Sequence, residues 1–171
     1  MDPDIRTLMK LLESRWVLSL ATTDPEGRPY ATPLFYAVIP PDAPPAVESP
    51  ILLFASHPRS SHAAHIGDRP SSAAASIQLE TRILGRVRGA QLRGSVFPAR
   101  ICGGDLPRTL LSVYLRRHPV AAGVLGGDSE EQLYLFVVNW AKMTDNRWGI
   151  GEHRTCVFDP AWSRLKIAPP V

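Results

Sequence analysis

One stretch combines residue types that could hold an anion. Ser56-His57-Pro58-Arg59-Ser60-Ser61-His62 sets hydroxyls, imidazoles and a guanidinium directly after an apolar run at residues 51–55. The run reads as a short buried strand, Pro58 stops it continuing inside a sheet, and the spacing predicts a helix over 60–66. A strand, tight turn and helix start leave backbone N–H groups unpaired, and Ser56, Arg59, Ser60, Ser61 and His62 would add donors around a phosphate. The plainer reading is a cap at Ser60 and a solvated charge at Arg59. His62 and His65 are three apart, and His153 and Cys156 have H-x-x-C spacing. Neither pair has a further ligand at a suitable spacing, so no metal is expected. There is no G-x-S-x-G elbow, Walker loop or full G-x-G-x-x-G, which leaves hydrolase and nucleotide-fold readings without local support.

The elements that must position these residues are mostly strands. Residues 2–14 show helical spacing of Ile5, Leu8, Met9, Leu11 and Leu12 behind an acidic start. Residues 16–22 alternate as a strand, Asp24-Pro25-Glu26-Gly27 has turn chemistry, and 30–39 read as a second strand of the same hairpin. Residues 40–50 carry five prolines and read as an extended surface loop. Residues 71–80 form a small-residue strand that permits close backbone approach. Residues 81–97 read as one curved strand in which Gly85, Gly89 and Gly94 mark coiling or bulges. On strict alternation Arg86, Arg88, Ala90, Leu92 and Val96 share one face and Val87, Gly89, Gln91, Arg93 and Ser95 the other, a register that a bulge would shift.

Residues 106–118 have helical spacing ending at Pro119, and Gly126-Gly127-Asp128 is a turn. The near-continuous apolar run in 132–143 predicts a strand buried on both faces. A last strand is expected over 154–158, with a short edge at 165–167. The fold class that follows is mainly β with flanking helices, a six- to seven-stranded antiparallel barrel, closed or partly closed.

The chain has 171 residues, 44% of them hydrophobic, which predicts a single domain over 1–171 with a proper core. No apolar stretch is long enough for a membrane span, and the N-terminus lacks signal-peptide features, so a cytoplasmic protein with no membrane partner is expected. The net charge of +3 is mild, and Cys102 and Cys156 form no disulfide or zinc pattern. Arg82, Arg86, Arg88 and Arg93 are the densest basic segment, but without aromatic stacking positions. They fit a strand face or anchors for an anionic ligand better than nucleic acid, which is not expected as a partner.

Taken in order, four pieces carry a resemblance. They are the hairpin from Leu20 to Tyr36, Phe54-Ala-Ser-x-x-x-Ser-Ser-His62, the strand Arg88-Gly-Ala-Gln91-Leu-Arg-Gly94, and Lys142-Met-Thr-Asp145-Asn146-Arg-Trp-Gly149-Ile-Gly151. With them the chain resembles the pyridoxamine 5′-phosphate oxidase-like, FMN-binding split-barrel superfamily, and within it the YhbP-type group. The resemblance implies a flavin at a homodimer interface. Ser56, Ser60, Ser61 and His62 become phosphate-end residues, and Thr32, Pro33 and Leu34 contact the ring side through their backbone. Gln91 approaches the flavin, and Asn146, Arg147 and Trp148 come from the partner subunit. The chain departs from the superfamily at His62, where many members have Lys. Two functional classes follow: an FMN-binding oxidoreductase of unknown substrate, or a non-catalytic binding protein for flavin, deazaflavin or haem. On the residues alone, Asn146 also suits a turn, Gln91 a polar barrel face, and Trp148 core or dimer packing.

Overall fold

A computed structural model describes residues 2–39, 43, 45, 49–125, 130–160, 162–165 and 167. The Gly126-Gly127-Asp128 turn lies outside them, as do Pro40, Pro41 and Pro44. The elements run α1 (Pro3–Glu13), β1 (Val17–Thr23), β2 (Pro29–Val38), β3 (Ile51–Ser56), α2 (Ser61–Ile66), β4 (Ser71–Gln78), β5 (Arg88–Pro98), α3 (Leu106–Arg117), β6 (Gln132–Asp145), β7 (His153–Val157) and α4 (Trp162–Leu165). The strands form one antiparallel sheet ordered β3-β2-β1-β4-β5-β6-β7, and β3 also pairs with β6. That pairing closes six strands into a barrel and leaves β7 as an extra strand. Among the described residues no helix is long and apolar enough to cross a membrane.

The strand β6 shows how the pattern produces the architecture. In its first half Tyr134, Phe136 and Val138 point into the barrel, while Leu133, Leu135 and Val137 point outward into a second core. The second core is covered by Leu110, Val113 and Tyr114 of α3. Leu52 and Phe54 of β3 face inward, with Ile51 and Leu53 under α3, so both strands lack a polar face.

The register changes where Arg93 pairs with Trp140 but Gly94 pairs with Val138, so Asn139 is the extra residue of a bulge. Beyond it the inward positions are Ala141 and Met143 and the outward ones Trp140 and Lys142, which no helix among the described residues covers. β6 also exchanges neighbours there, from β3 at residues 132–137 to β7 at residues 140–144.

β2 pairs with β1 along most of its length but with β3 only at Tyr36, Ala37 and Val38. Residues 29–35 therefore have one open edge. α2 closes the gap, burying Ala63 and Ile66 in the barrel core. α1 closes another part with Leu8, Met9 and Leu12, and Tyr36 donates its buried hydroxyl to the Leu12 carbonyl at 2.5 Å.

Two expectations are corrected. Residues 81–87 are not strand: Arg86 and Val87 donate to Ile83 and Leu84 in a tight turn over Leu84–Arg86, and the strand starts at Arg88. Gly85 belongs to that turn. Of the edge strand expected at 165–167, Leu165 instead ends α4 and is fully buried in the second core, and Lys166 lies outside the described residues. A single large apolar side chain can be buried from a helix as well as from a strand, and too few residues surround it to show a period.

Candidate functional site

The outer barrel face not covered by α3 is built from small side chains. β1 alternates buried Leu18 and Leu20 with outward Ser19 and Ala21, and β4 alternates buried Ala75 and Ile77 with Ala74 and Ser76. The pairings place Pro33, Ser19, Ser76, Gln91 and Lys142 in one row across five strands. The next row is Ala31, Ala21, Ala74, Arg93 and Trp140. The result is a flat floor with a raised rim, where the Arg93 guanidinium stacks on Trp140 at 4.6 Å. A shallow cavity of about 320 Å³ lies over it, with Gln91 in its lining, and a neighbouring one of about 640 Å³ reaches Pro29 and Asn139.

The open edge of β2 adjoins this floor. Tyr36 donates its N–H to the Trp16 carbonyl, and Asp24 to the Arg28 carbonyl, which fixes even-numbered β2 residues as the ones bonded to β1. Thr32 and Leu34 thus point their backbone groups at β1. The backbone of Ala31 and Phe35, and the Pro33 carbonyl, face the open edge.

At the end of β3 the polar cluster forms a chain. Ser56 Oγ lies 3.0 Å from Ser60 Oγ, which lies 3.2 Å from His62 Nε2. Ser60 occupies the cap position of α2, but its hydroxyl makes no cap bond and is turned to Ser56 and His62 instead. Ser61 is exposed on the first turn. Arg59 Nη2 donates to Glu130 Oε2 at 2.6 Å, and His57 Nε2 is 2.9 Å from the same oxygen.

His62 is only 6% exposed, with its ring tilted against Phe54. Burial, and then the charge of His65, hold its pKa below the ordinary imidazole value, so at neutral pH it offers a hydrogen bond without charge. Because the folded-state pKa is below the unfolded one, the unfolded chain takes up the proton first as pH falls. The stability tied to neutral His62 is present above about pH 6.5 and lost as pH falls through the folded-state pKa. The variant His62→Gln, which does not titrate, is expected to show a shallower loss of melting temperature between about pH 7 and 5.

The structure brings Ser56, Ser60 and His62 together and sets Gln91 in the same row as Pro33. Asn146, Arg147 and Trp148 lie elsewhere in the chain, in the turn after β6. Asn146 donates to the Leu84 carbonyl at 2.7 Å and accepts from the Gly151 N–H at 3.3 Å, fastening two loops. Asp145 is gripped by Arg147 through Nε and Nη2, and that pairing leads the causes holding its carboxyl below the usual range. Trp148 packs against the barrel core and carries the Arg154 guanidinium at 4.4 Å. Sequence reasoning missed Trp140, the Ser19-Ala21-Ala74 floor and Glu130. The floor was legible in principle from the small outward residues of two alternating strands; Glu130 had no local signal.

A flavin mononucleotide needs a flat surface for its ring and donors for a phosphate. The small-residue floor with Gln91 suits the first, and the Ser56, Ser60, Ser61 and His62 donors suit the second. Arg59 is the nearest cation in sequence to that cluster.

No family model and no curated protein matches the chain. Among solved structures it is similar to a heme binding protein from Mycobacterium smegmatis, with TM-score 0.71 and 16% identity over 92% of this chain and 59% of that one. It is similar to ChuZ of Campylobacter jejuni, with TM-score 0.68 and 10% identity over 89% of this chain and 58% of that one. A Clostridium acetobutylicum protein related to general stress protein 26 of B. subtilis, of the pyridoxinephosphate oxidase family, gives TM-score 0.61 and 11% identity over 92% and 96% of the two chains. The chain thus spans under two thirds of the first two proteins, 59% and 58%. At these identities the likeness is one of architecture: the chain has the split-barrel fold of the pyridoxamine 5′-phosphate oxidase-like proteins.

Proposed function

We propose that the chain is a cytoplasmic, homodimeric FMN-binding protein of the oxidoreductase type, with its substrate open. The observation that carries this reading is the floor with Gln91 on it, a sheet face that no helix among the described residues covers. Its margins are apolar: Phe35 is 61% exposed, its cross-strand partner Val17 42%, and Val157 beside Trp140 77%. Side chains of that kind on a sheet face are suited to a second copy of the chain. Across such an interface Asn146, Arg147 and Trp148 would be contributed by the partner.

When bound, the flavin supplies hydride or electron transfer. The chain's own part is to carry the ring on Ala21, Ala31 and Ala74, to offer Gln91 as a hydrogen-bonding side chain, and to meet the phosphate with Ser56, Ser60, Ser61 and His62. With His62 neutral, Arg59 is the cation available to that end, and Glu130 competes for it. The substitutions Ser61→Ala and Arg59→Gln are each expected to weaken FMN binding without lowering the melting temperature, the second by roughly tenfold or more as a charge-assisted contact is lost.

The deciding experiment is a visible spectrum of the purified protein before and after incubation with FMN and removal of free ligand, with the mass in solution. Flavin bands travelling with a dimer support the reading. A colourless protein that does not retain FMN overturns it. A second reading, non-catalytic haem binding, draws support from Arg93 and Lys142 beside Gln91, which suit propionates, and from the name of the Mycobacterium smegmatis neighbour. It predicts a Soret band after incubation with haem, unaffected by Ser61→Ala.

A further inference from the structure

The hydroxyl chain at the end of β3 has an imidazole at its inner end, and the proton on that ring decides which way the chain points. His62 Nε2 is 3.2 Å from Ser60 Oγ, which is 3.0 Å from Ser56 Oγ. A hydroxyl has one proton to give and two lone pairs to offer. While Nε2 accepts, the Ser60 proton is spent on the ring. Once Nε2 carries a proton it becomes the donor, and the Ser60 O–H is free to turn to an outside acceptor. His62 is only 6% exposed, so it acts on a ligand through that hydroxyl.

The surrounding charges make the proton matter. The guanidinium nearest in sequence, that of Arg59, donates to Glu130 Oε2, and His57 Nε2 lies against the same oxygen. Towards the barrel His62 meets Phe54, and behind it Tyr134, on which Asp68, Arg100 and Glu131 bear. His65, on the same helix, is turned to Thr22 of β1 at 3.0 Å and lies by Asp24, which Arg28 holds. Its charge is the one that bears on His62, and it opposes protonation there. A phosphate dianion set against Ser60 and Ser61 reverses that balance, because a nearby opposite charge favours the imidazolium.

Resting on the FMN reading above, we propose that His62 is a positioning residue that couples binding of the cofactor phosphate to uptake of one proton. The proton moves from solvent to the His62 ring, Nε2–H donates to Ser60 Oγ, and the Ser60 O–H donates to a phosphate oxygen. The cluster thereby takes on positive charge only with the dianion present. Because the complex binds more protons than the free protein, affinity for FMN rises as pH falls from about 8 to about 6.5. Below about pH 6 the second proton of the phosphate itself acts the other way.

The test is titration with FMN, and with riboflavin, which has no phosphate, at the two ends of that pH range. Wild type is expected to bind FMN about fivefold or more tightly at the lower pH, with riboflavin affinity unchanged. His62→Gln and Ser60→Ala are each expected to bind FMN with less than about a twofold change over the same range. Calorimetry in buffers of different ionisation heat is expected to read proton uptake on FMN binding by wild type and none by His62→Gln. A wild type that binds FMN with a flat pH profile overturns the proposal and leaves the FMN reading standing. A pH dependence kept in His62→Gln, or shared by riboflavin, overturns it as well. A wild type that binds neither flavin at either pH overturns the FMN reading and this proposal together.

Discussion

The variant Gly94→Ala is expected to unfold the barrel or lower its melting temperature by about 10 °C or more. A Cβ at Gly94 would stand 2.0 Å from the Val137 carbonyl oxygen, 2.9 Å from its carbon and 3.0 Å from Val138 Cα. All three are backbone atoms of β6, so no rotamer change relieves the overlap. They cannot retreat cheaply either, because Val138 donates its N–H to the Pro50 carbonyl and the Asn139 carbonyl accepts from Phe158. The bulge that brings β6 across Gly94 is the point where that strand exchanges β3 for β7. The contrasting variant is Gly85→Ala, where nothing lies within 4 Å and φ is not in the left-handed region. There the methyl group is expected to be neutral or stabilising by about 0.4–1 kcal/mol, through the unfolded state. Paired thermal melts check both, and a Gly94→Ala protein that melts with wild type would rule out the close crossing.

The two glycines also show what could be read before the structure. Both stand in a Gly-spaced, Arg-rich segment, and the pattern alone assigned them one meaning. Gly94 lies where backbones touch, as the extended pattern implied, while Gly85 lies in an exposed turn, because Leu79 donates to the Arg88 carbonyl and the residues between them loop out. Local periodicity says which residues share a face: Ala90, Leu92 and Val96 do face inward together. It does not say which strand will lie opposite.

The apolar run in β6 implied burial on both faces, which holds for residues 133–138 and not beyond Asn139, and its division between two cores depends on α3, whose docking is set by contacts far along the chain. Those include His118 Nε2 against the Tyr36 carbonyl at 2.9 Å and Arg117 donating to the Glu13 and Arg15 carbonyls. The same limit applies to the polar residues. Ser56, Ser60 and His62 were legible as a group because they are neighbours in sequence. Glu130 reaches Arg59 from 71 residues away and leaves no trace in any short window, while the floor is assembled from five strands, of which only the small outward residues of β1 and β4 show locally. Ser60 illustrates a finer loss. Its residue type and position identify a cap, but the hydroxyl has a choice of acceptors, and the nearby Ser56 and His62 take it.

The substitution Phe54→Ala is expected to cost about 3–5 kcal/mol, a fall of roughly 6–20 °C in melting temperature, and to alter the polar cluster in the same step. Phe54 is fully buried on the inner face of β3, two residues before Ser56. One face of its ring stacks on Tyr134 of β6, with centroids 5.3 Å apart and planes within 9°. His62 lies against it at 6.4 Å. The ring therefore joins the β3–β6 closure of the barrel to the wall behind His62. Truncation leaves a cavity whose lining combines Tyr134 and an imidazole, and a polar-lined space of that size can admit water. Hydrating His62 removes the burial that depresses its pKa, so the loss of stability between about pH 7 and 5 is expected to shrink in Phe54→Ala as it does in His62→Gln. Phe54→Leu retains most of the apolar volume and is expected to cost less than half as much while leaving the pH dependence intact. Melting curves of the three variants at two pH values separate the outcomes. A Phe54→Ala protein that loses stability but keeps the full pH dependence would mean that His62 owes its neutral state to other neighbours, and the link from barrel core to cluster would fail.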